Sequence, residues 1–271
     1  MNSLDKFADL TPEQQALLML KLRRRSASDN AHRINSPAIT PRPRNSDLPL
    51  SFAQERLWFI DQLEPGDATY NVRRLVRLTG PLDLAALERS FNDVIARHEV
   101  LRTTFSLVDG WPRQNIAGNL TLKLVVEDLC NSAEPETELR RFAIAEAEQP
   151  FDLTRGPLLR ASVVRLGVEE HVLLVTMHHI VSDRWSMGII LRELSTLYDG
   201  YVKGKPAVLQ ELPIQYADFA LWQREWLSGP VLEEQLQYWR DQLADAPAVL
   251  ALPADRARPA VLGNHGRKQR I

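Results

Sequence analysis

The chain has 271 residues, 44% hydrophobic and 25% charged, which allows one large domain or two small ones and excludes wholesale disorder. Its net charge of -2 argues against a nucleic-acid binder that relies on bulk charge, and its single cysteine, Cys130, excludes an internal disulfide framework and a multi-cysteine zinc site. No apolar run reaches the ~18 residues of a membrane span, and the N-terminus (MNSLDKFADL) has no apolar core of a secretory signal, so the expected compartment is the cytoplasm.

Residues 1–45 carry a net charge of +4, leaving -6 on the remainder. Within 1–25, Thr11 is an N-cap candidate, Pro12 suits the first helical position and Gln14 completes a capping box. Ala16, Leu17, Leu18, Leu20 and Leu22 give the helix one apolar face, and Lys21, Arg23, Arg24 and Arg25 suit its negative C-terminal end. This is either a solvated basic helix or one that docks another protein. Residues 26–47, with Pro37, Pro41 and Pro43, read as an extended, mobile linker, so the globular part is expected from Leu48.

A helix is predicted over 51–63, with Leu57, Trp58, Ile60 and Leu63 as core contacts. A strand follows at 71–78, then a strongly amphipathic helix at 83–97 with Leu84, Leu87, Phe91, Val94 and Ile95 on one side. Strands are predicted at 102–108 and 120–126, a helix at 137–148, strands at 158–166 and 171–177, and a helix at 186–201. Residues 215–243 are largely helical and carry Trp222, Trp226 and Trp239. Strands and helices mix without strict alternation, which indicates an α/β sandwich with a mixed sheet. Beyond Pro247 the sequence turns to Ala, Pro and Arg and ends at Ile271 without a closing element, as a cut chain would.

The sharpest chemical feature is Met177-His178-His179-Ile180-Val181-Ser182-Asp183-Arg184-Trp185-Ser186. An apolar strand delivers two histidines to its carboxyl end, and Ser186 is a candidate N-cap for the helix that follows. Neighbouring strand residues point to opposite sides, so at most one imidazole faces a given cavity. A histidine near its ordinary pKa can take a proton from an attacking amine, alcohol or thiol. Asp183 is placed to orient a histidine or to hold the loop through an ion pair. The residues alone leave three readings open: catalysis, a buried and satisfied histidine pair, or a metal site. No adjacent Cys, His or Glu cluster supplies a third ligand. The sequence has no P-loop, Gly-x-Gly-x-x-Gly fingerprint or Gly-x-Ser-x-Gly elbow, and Cys130 has no evident partner.

Asp183 and the two histidines resemble the His-His-x-x-x-Asp-Gly signature of condensation domains in nonribosomal peptide synthetases. Three more stretches agree with that family in its order. They are Ser51-Phe52-Ala53-Gln54-Glu55-Arg56-Leu57-Trp58, Arg97-His98-Glu99-Val100-Leu101-Arg102-Thr103-Thr104-Phe105 and Tyr216-Ala217-Asp218-Phe219-Ala220-Leu221-Trp222-Gln223. The resemblance runs from Leu48 to the chain end. It implies a chloramphenicol-acetyltransferase-like sandwich lobe with a mixed sheet over 48–214, and connecting helices plus the truncated start of a second lobe over 215–271.

The resemblance further implies that His179 stands at the reaction centre, that His178 is structural, and that Asp183 pairs with an arginine, for which Arg102 is the candidate. Ser51, Gln54 and Arg56 would fix the opening helix against the sheet, Trp58 and Trp222 would be core, and Gly188 would either permit close helix approach or simply pack. The reaction implied is amide formation between an acyl or peptidyl thioester and an aminoacyl amine. Both would be held on phosphopantetheine arms of upstream donor and downstream acceptor carrier domains of adjacent synthetase modules. No directly bound cofactor, metal, nucleic acid or membrane is implied. The basic segment 1–45 suggests docking to an upstream polypeptide.

Two departures stand out. Arg184 replaces the family's glycine, which would put a cation near the mouth of the active-site tunnel that the resemblance implies between two lobes, where it would meet substrate or a carrier-arm phosphate, or disturb the bend. The chain also covers about half of such a domain. The alternatives are a coenzyme-A-dependent acyltransferase of the same superfamily and a non-catalytic carrier-binding remnant.

Overall fold

Six strands and six α-helices follow one another among the described residues, which are 36–44, 47–205, 207–247, 249 and 253 of this computed structural model. In order they are α1 (Phe52–Leu63), β1 (Asn71–Thr79), α2 (Leu84–Arg97), a 3₁₀ turn (Glu99–Arg102), β2 (Thr103–Val108), β3 (Trp111–Ile116), β4 (Val125–Asp128), α3 (Pro135–Glu148), β5 (Leu159–Gly167), β6 (Glu170–His178), α4 (Arg184–Val202), α5 (Tyr216–Trp226) and α6 (Gly229–Leu243). The helix predicted within 1–25 lies outside the described residues. Residues 39–271 cluster as one unit.

The main sheet has the order β1-β6-β5-β4. Its first two pairings are antiparallel and the last, β5 with β4, is parallel, so the sheet is mixed as expected. In β6, Leu173, Val175 and Met177 join one apolar cluster while Val172 and Leu174 join another. A strand apolar on both faces needs cover on both. Leu87, Phe91, Val94 and Ile95 of α2, with Ile190, Leu194 and Leu197 of α4, cover the first face. Leu139 of α3 covers the second, with Phe142 and Ala143 packed beside it. Strand β6 therefore runs through the centre, and its carboxyl end is fixed by the whole sandwich.

Local chemistry sets the helix starts. Ser51 Oγ accepts the Gln54 N–H (3.2 Å) while Gln54 Oε1 accepts the Ser51 N–H (3.0 Å), a reciprocal capping box on α1. Asp83 caps α2 by accepting the Ala86 N–H at 2.9 Å. On α1, Leu57 is buried and Trp58 is partly buried, whereas Leu63, predicted as core, is 65% exposed because it lies on the outer side of the last turn.

Two strand assignments change. Residues 120–124 form no ladder, since the N–H groups of Leu122 and Leu124 donate to Asn92 Oδ1 and Glu88 Oε2 of α2, each at 2.8 Å. Only 125–128 pair with β5. Strand β3 had no sequence expectation, although Asp109-Gly110, both at positive φ (52° and 81°), is the two-residue hairpin turn that joins it to β2. The linker stretch is also held at its end: Arg42 and Arg44 bond to Asp218 of α5, and Leu48 and Leu50 are buried. Helix α6 buries no residue, and its Tyr238, Trp239 and Leu243 are at least half exposed. No helix among the described residues is long and apolar enough to cross a membrane.

Candidate active site

Strand β6 ends on His178, and the next five residues, 179–183, turn into α4. The His178 N–H donates to the Leu158 carbonyl (3.1 Å), and the His179 N–H donates to the Tyr70 carbonyl (2.8 Å). These bonds fix both backbones while the side chains diverge. His178 is 4% exposed and lies between Tyr70 and the edge of Phe151, at ring separations of 6.4 and 6.3 Å. Its Nδ1 accepts the Ile180 N–H at 3.1 Å, which assigns its proton to Nε2. Burial, helped by the neighbouring His179, pulls its pKa from 6.5 to about 4, so the ring is neutral near pH 7.

His179 is exposed and faces a cavity of about 290 Å³. Leu57 of α1, His98, Ser186 and Ile190 of α4, and Tyr216 of α5 also line it. An accessible imidazole on a junction fixed by backbone bonds can accept a proton from, or hydrogen-bond to, an amine nucleophile. Each of the four sequence motifs contributes to the cavity wall, so the fold gathers what the sequence separates.

Asp183 has a different partner from the one expected. Its Oδ1 accepts both the N–H and the hydroxyl of Ser186, each at 2.6 Å. Asp183 is thus the N-cap of α4, and Ser186 is the third residue of the helix rather than its cap. The Ser186 hydroxyl, then the Ser186 N–H, hold the Asp183 carboxyl below its usual 3.8. Arg102 is turned elsewhere: it donates to the Ala117 carbonyl and lies 3.7 Å from Glu99. The expected Asp183–Arg102 pair is therefore absent, because the local cap satisfies the aspartate and the 3₁₀ turn directs Arg102 to the end of the β2–β3 hairpin.

Arg184, in the place of the family glycine, is the first residue of α4. Asp109 is the only described non-glycine residue at positive φ, so the bend at Arg184 imposes no glycine geometry. A Cβ at Gly188 would meet nothing within 4 Å, so close helix approach is not its role. Ser51 and Gln54 bond to neighbours other than the sheet: Ser51 Oγ is 2.9 Å from the Tyr216 hydroxyl of α5, and Gln54 Nε2 donates to the Ile180 carbonyl in the turn after β6 at 3.4 Å. Arg56 lines the cavity instead of bonding to the sheet. Trp222 is stacked on Trp226 at 4.9 Å.

Three cavity or near-cavity residues escaped the sequence reading of the site. His98 and Tyr216 lie inside the motifs, but nothing local distinguishes them from packing residues. Glu193 is 2.6 Å from His98 and carries one weak signal, its place seven residues after Ser186 on the same face of α4. Burial pushes the Tyr216 phenol above its usual 10, which keeps it neutral. Among the described residues, no three His, Cys, Asp or Glu side chains gather as metal ligands.

Comparison with known proteins bears on this geometry. The condensation-domain family model matches residues 44–271. The chain is 51% identical over 235 residues to one of the linear gramicidin synthase proteins of Brevibacillus parabrevis, an overlap of 86% of this chain and 3% of that protein. It is 44% identical over 270 residues to phosphinothricin tripeptide synthetase PhsC of Streptomyces viridochromogenes, covering 98% of this chain and 24% of that protein. Among solved structures it is similar to the X-domain from teicoplanin biosynthesis (TM-score 0.71, 33% identity, 83% of this chain and 49% of that one). It is also similar to the first condensation domain of the calcium-dependent antibiotic synthetase, solved with a substrate analogue (TM-score 0.67, 25% identity, 73% and 48%). The chain thus spans a small part of these curated relatives and about half of the solved domains.

Proposed function

Because the chain belongs to the condensation-domain family, we propose that it is the donor-side lobe of an amide-forming nonribosomal peptide synthetase condensation domain. His179 is the group at the reaction centre. The upstream acyl or peptidyl group arrives as a thioester on a carrier's phosphopantetheine arm, and the downstream carrier presents a free amine. The amine attacks the thioester carbonyl, the C–N bond forms, and the C–S bond breaks as the thiol leaves. The amine gives up one proton and the departing sulfur takes one. His179 orients the amine and accepts or shares that proton. The thioester carries the driving force, so this reading uses no nucleotide, metal or directly bound cofactor.

The observation that carries the reading is the division of labour in the histidine pair. His178 is sealed between Tyr70 and Phe151 as a neutral ring, while His179 stands exposed in a cavity. Asp183 serves the same end by capping α4 and so fixing the turn that presents His179. The related solved condensation domain is about one and a half times this chain's length, and the match covers only 48% of it, so the reading includes a second lobe that closes the cavity, excludes water and positions both arms.

Single-turnover transfer between a loaded donor carrier and a loaded acceptor carrier tests it, with this chain alone and with a supplied second lobe. The expected product requires both the second lobe and His179, with His179→Ala slowing transfer by roughly 100-fold or more, the usual scale of acid–base catalysis. No product in any arm, with carrier binding intact, would leave a carrier-binding remnant. Turnover of a free coenzyme A thioester with a diffusible acceptor would favour the coenzyme-A-dependent alternative.

A further inference from the structure

The walls of the His179 cavity are joined from outside by a residue that does not line it. His98, Val100 and Leu101 stand on one wall element, and Tyr216 stands on another. Glu99 opens the 3₁₀ turn between His98 and Val100, and Asp218 lies in the first turn of α5, two residues after Tyr216. Arg44 meets both acids with one guanidinium. Its Nε donates to Glu99 Oε2 at 2.7 Å, while Nη1 and Nη2 donate to Asp218 Oδ1 and Oδ2 at 2.6 and 3.0 Å. Arg44 itself lies outside the four sequence motifs.

The charge balance shows what this contact does. The side chains of Glu99 and Asp218 are 17% and 1% exposed, so water screens neither of them well. Arg102 approaches Glu99 only to 3.7 Å, on its other oxygen. Without Arg44, two shielded carboxylates would be left on the same seam, and their repulsion would drive the 3₁₀ turn and α5 apart. Gln215, the N-cap of α5, bridges that seam with neutral bonds. Its Oε1 accepts the Glu99 N–H at 3.1 Å, and its Nε2 donates to the Arg97 carbonyl at 3.0 Å. A wider seam stretches these bonds and displaces Tyr216 relative to His179.

Resting on the reading of His179 as the reaction centre, we propose that Arg44 is a positioning residue for the reaction. It clamps the 3₁₀ turn to α5 and so sets the width of the cavity in which the amine meets His179. It acts through Glu99 and Asp218 and not by contact with substrate.

Two measurements on the full chain test this, with the second lobe supplied where transfer is read. Hydrogen exchange, at labelling times too short for β5 and β6 to exchange, reports on the seam directly. Arg44→Ala is expected to speed exchange about tenfold in 97–103 and 214–219, where the Glu99 and Gln215 N–H bonds lie, and to leave β5 and β6 unchanged. In single-turnover transfer the same variant is expected to lower the limiting rate about tenfold, because a wall is misplaced, and to leave the half-saturating concentration of acceptor carrier unchanged. Arg44→Lys, which keeps a cation between the carboxylates, is expected to recover part of both effects. Arg44→Ala combined with Glu99→Gln, which removes the repulsion, is expected to do the same. A residue that served only to stabilise the fold would not be rescued by altering another of its partners. Exchange that is unchanged at the seam, or raised equally in β6, overturns the clamp, as does a double variant no better than Arg44→Ala. Faster exchange at the seam with transfer at the native rate overturns the positioning role, while His179-dependent transfer leaves the reading beneath it standing. Absence of any His179-dependent transfer by the native chain overturns that reading and the positioning role with it.

Discussion

Arg44 closes on Asp218 across 174 positions of sequence, with Nη1 2.6 Å from Oδ1 and Nη2 3.0 Å from Oδ2. Arg44 Nε also donates to Glu99 at 2.7 Å, and Asp218 accepts the N–H groups of Arg42 and Gln215. Burial pushes the Asp218 carboxyl up, but Arg44 and the two N–H donors outweigh it and hold the group below 3.8. The fork ties the segment before Leu48 to the start of α5, next to the cavity residue Tyr216.

Removing that fork should weaken the fold. Asp218 is 1% exposed, so Arg44→Ala leaves a buried carboxylate with only its backbone donors. A loss on the order of 2 kcal/mol is expected in urea unfolding. Arg44→Lys should recover only part, because an ammonium cannot match a carboxylate with two parallel N–H bonds. An unchanged midpoint for Arg44→Ala would show that the segment is not part of the folded unit.

His178 should make stability fall as pH falls through a window above the carboxylate range. Its pKa is about 4 folded against 6.5 as a free side chain. The unfolded chain therefore takes up a proton near pH 6.5 while the folded chain resists it. Stability contributed by the neutral ring is complete above 6.5 and declines by roughly 3 kcal/mol by pH 4. His178→Asn, which keeps an acceptor for the Ile180 N–H and does not titrate, should remove this slope from unfolding midpoints measured between pH 7 and 4. The same slope in the variant would assign it to another group.

Asp183 is expected to act as a cap before anything else. Asp183→Ala should cost about 1 kcal/mol, and Asp183→Asn much less at neutral pH. Its folded pKa lies below 3.8, so its contribution is present above that value and is lost as pH falls through the lower folded pKa. The Asn variant should lack this acid-range loss. If Ala and Asn destabilise equally, the Ser186 bonds are not what Asp183 contributes.

Arg184→Gly should not behave as a repair. The position is the first turn of α4 with ordinary backbone, so glycine adds flexibility there and costs about 0.5 kcal/mol of helix stability. Transfer rates, measured with a second lobe present, should not rise. A large rate gain would show that the arginine side chain, rather than the bend, obstructs the reaction.

Much of this protein is legible along the chain. The capping pairs Ser51–Gln54 and Asp83–Ala86 lie three residues apart. The apolar period of α2 and the two-sided run of β6 also announce themselves, because each is a relation between near neighbours. Even the missed hairpin at Asp109-Gly110 left a local mark.

What the tertiary structure alone decided are the choices among partners. Asp183 was expected to meet a histidine or Arg102 and instead took Ser186, three residues away, while Arg102 was turned to Ala117 and Glu99. His98 and Glu193 meet across 95 positions, Ser51 and Tyr216 across 165. Such pairs follow from which strands are adjacent and how α2, α4 and α5 lie around β6. A charge or hydroxyl in sequence states only that a partner is needed when it is buried, and the packing of the whole sandwich selects which one it finds.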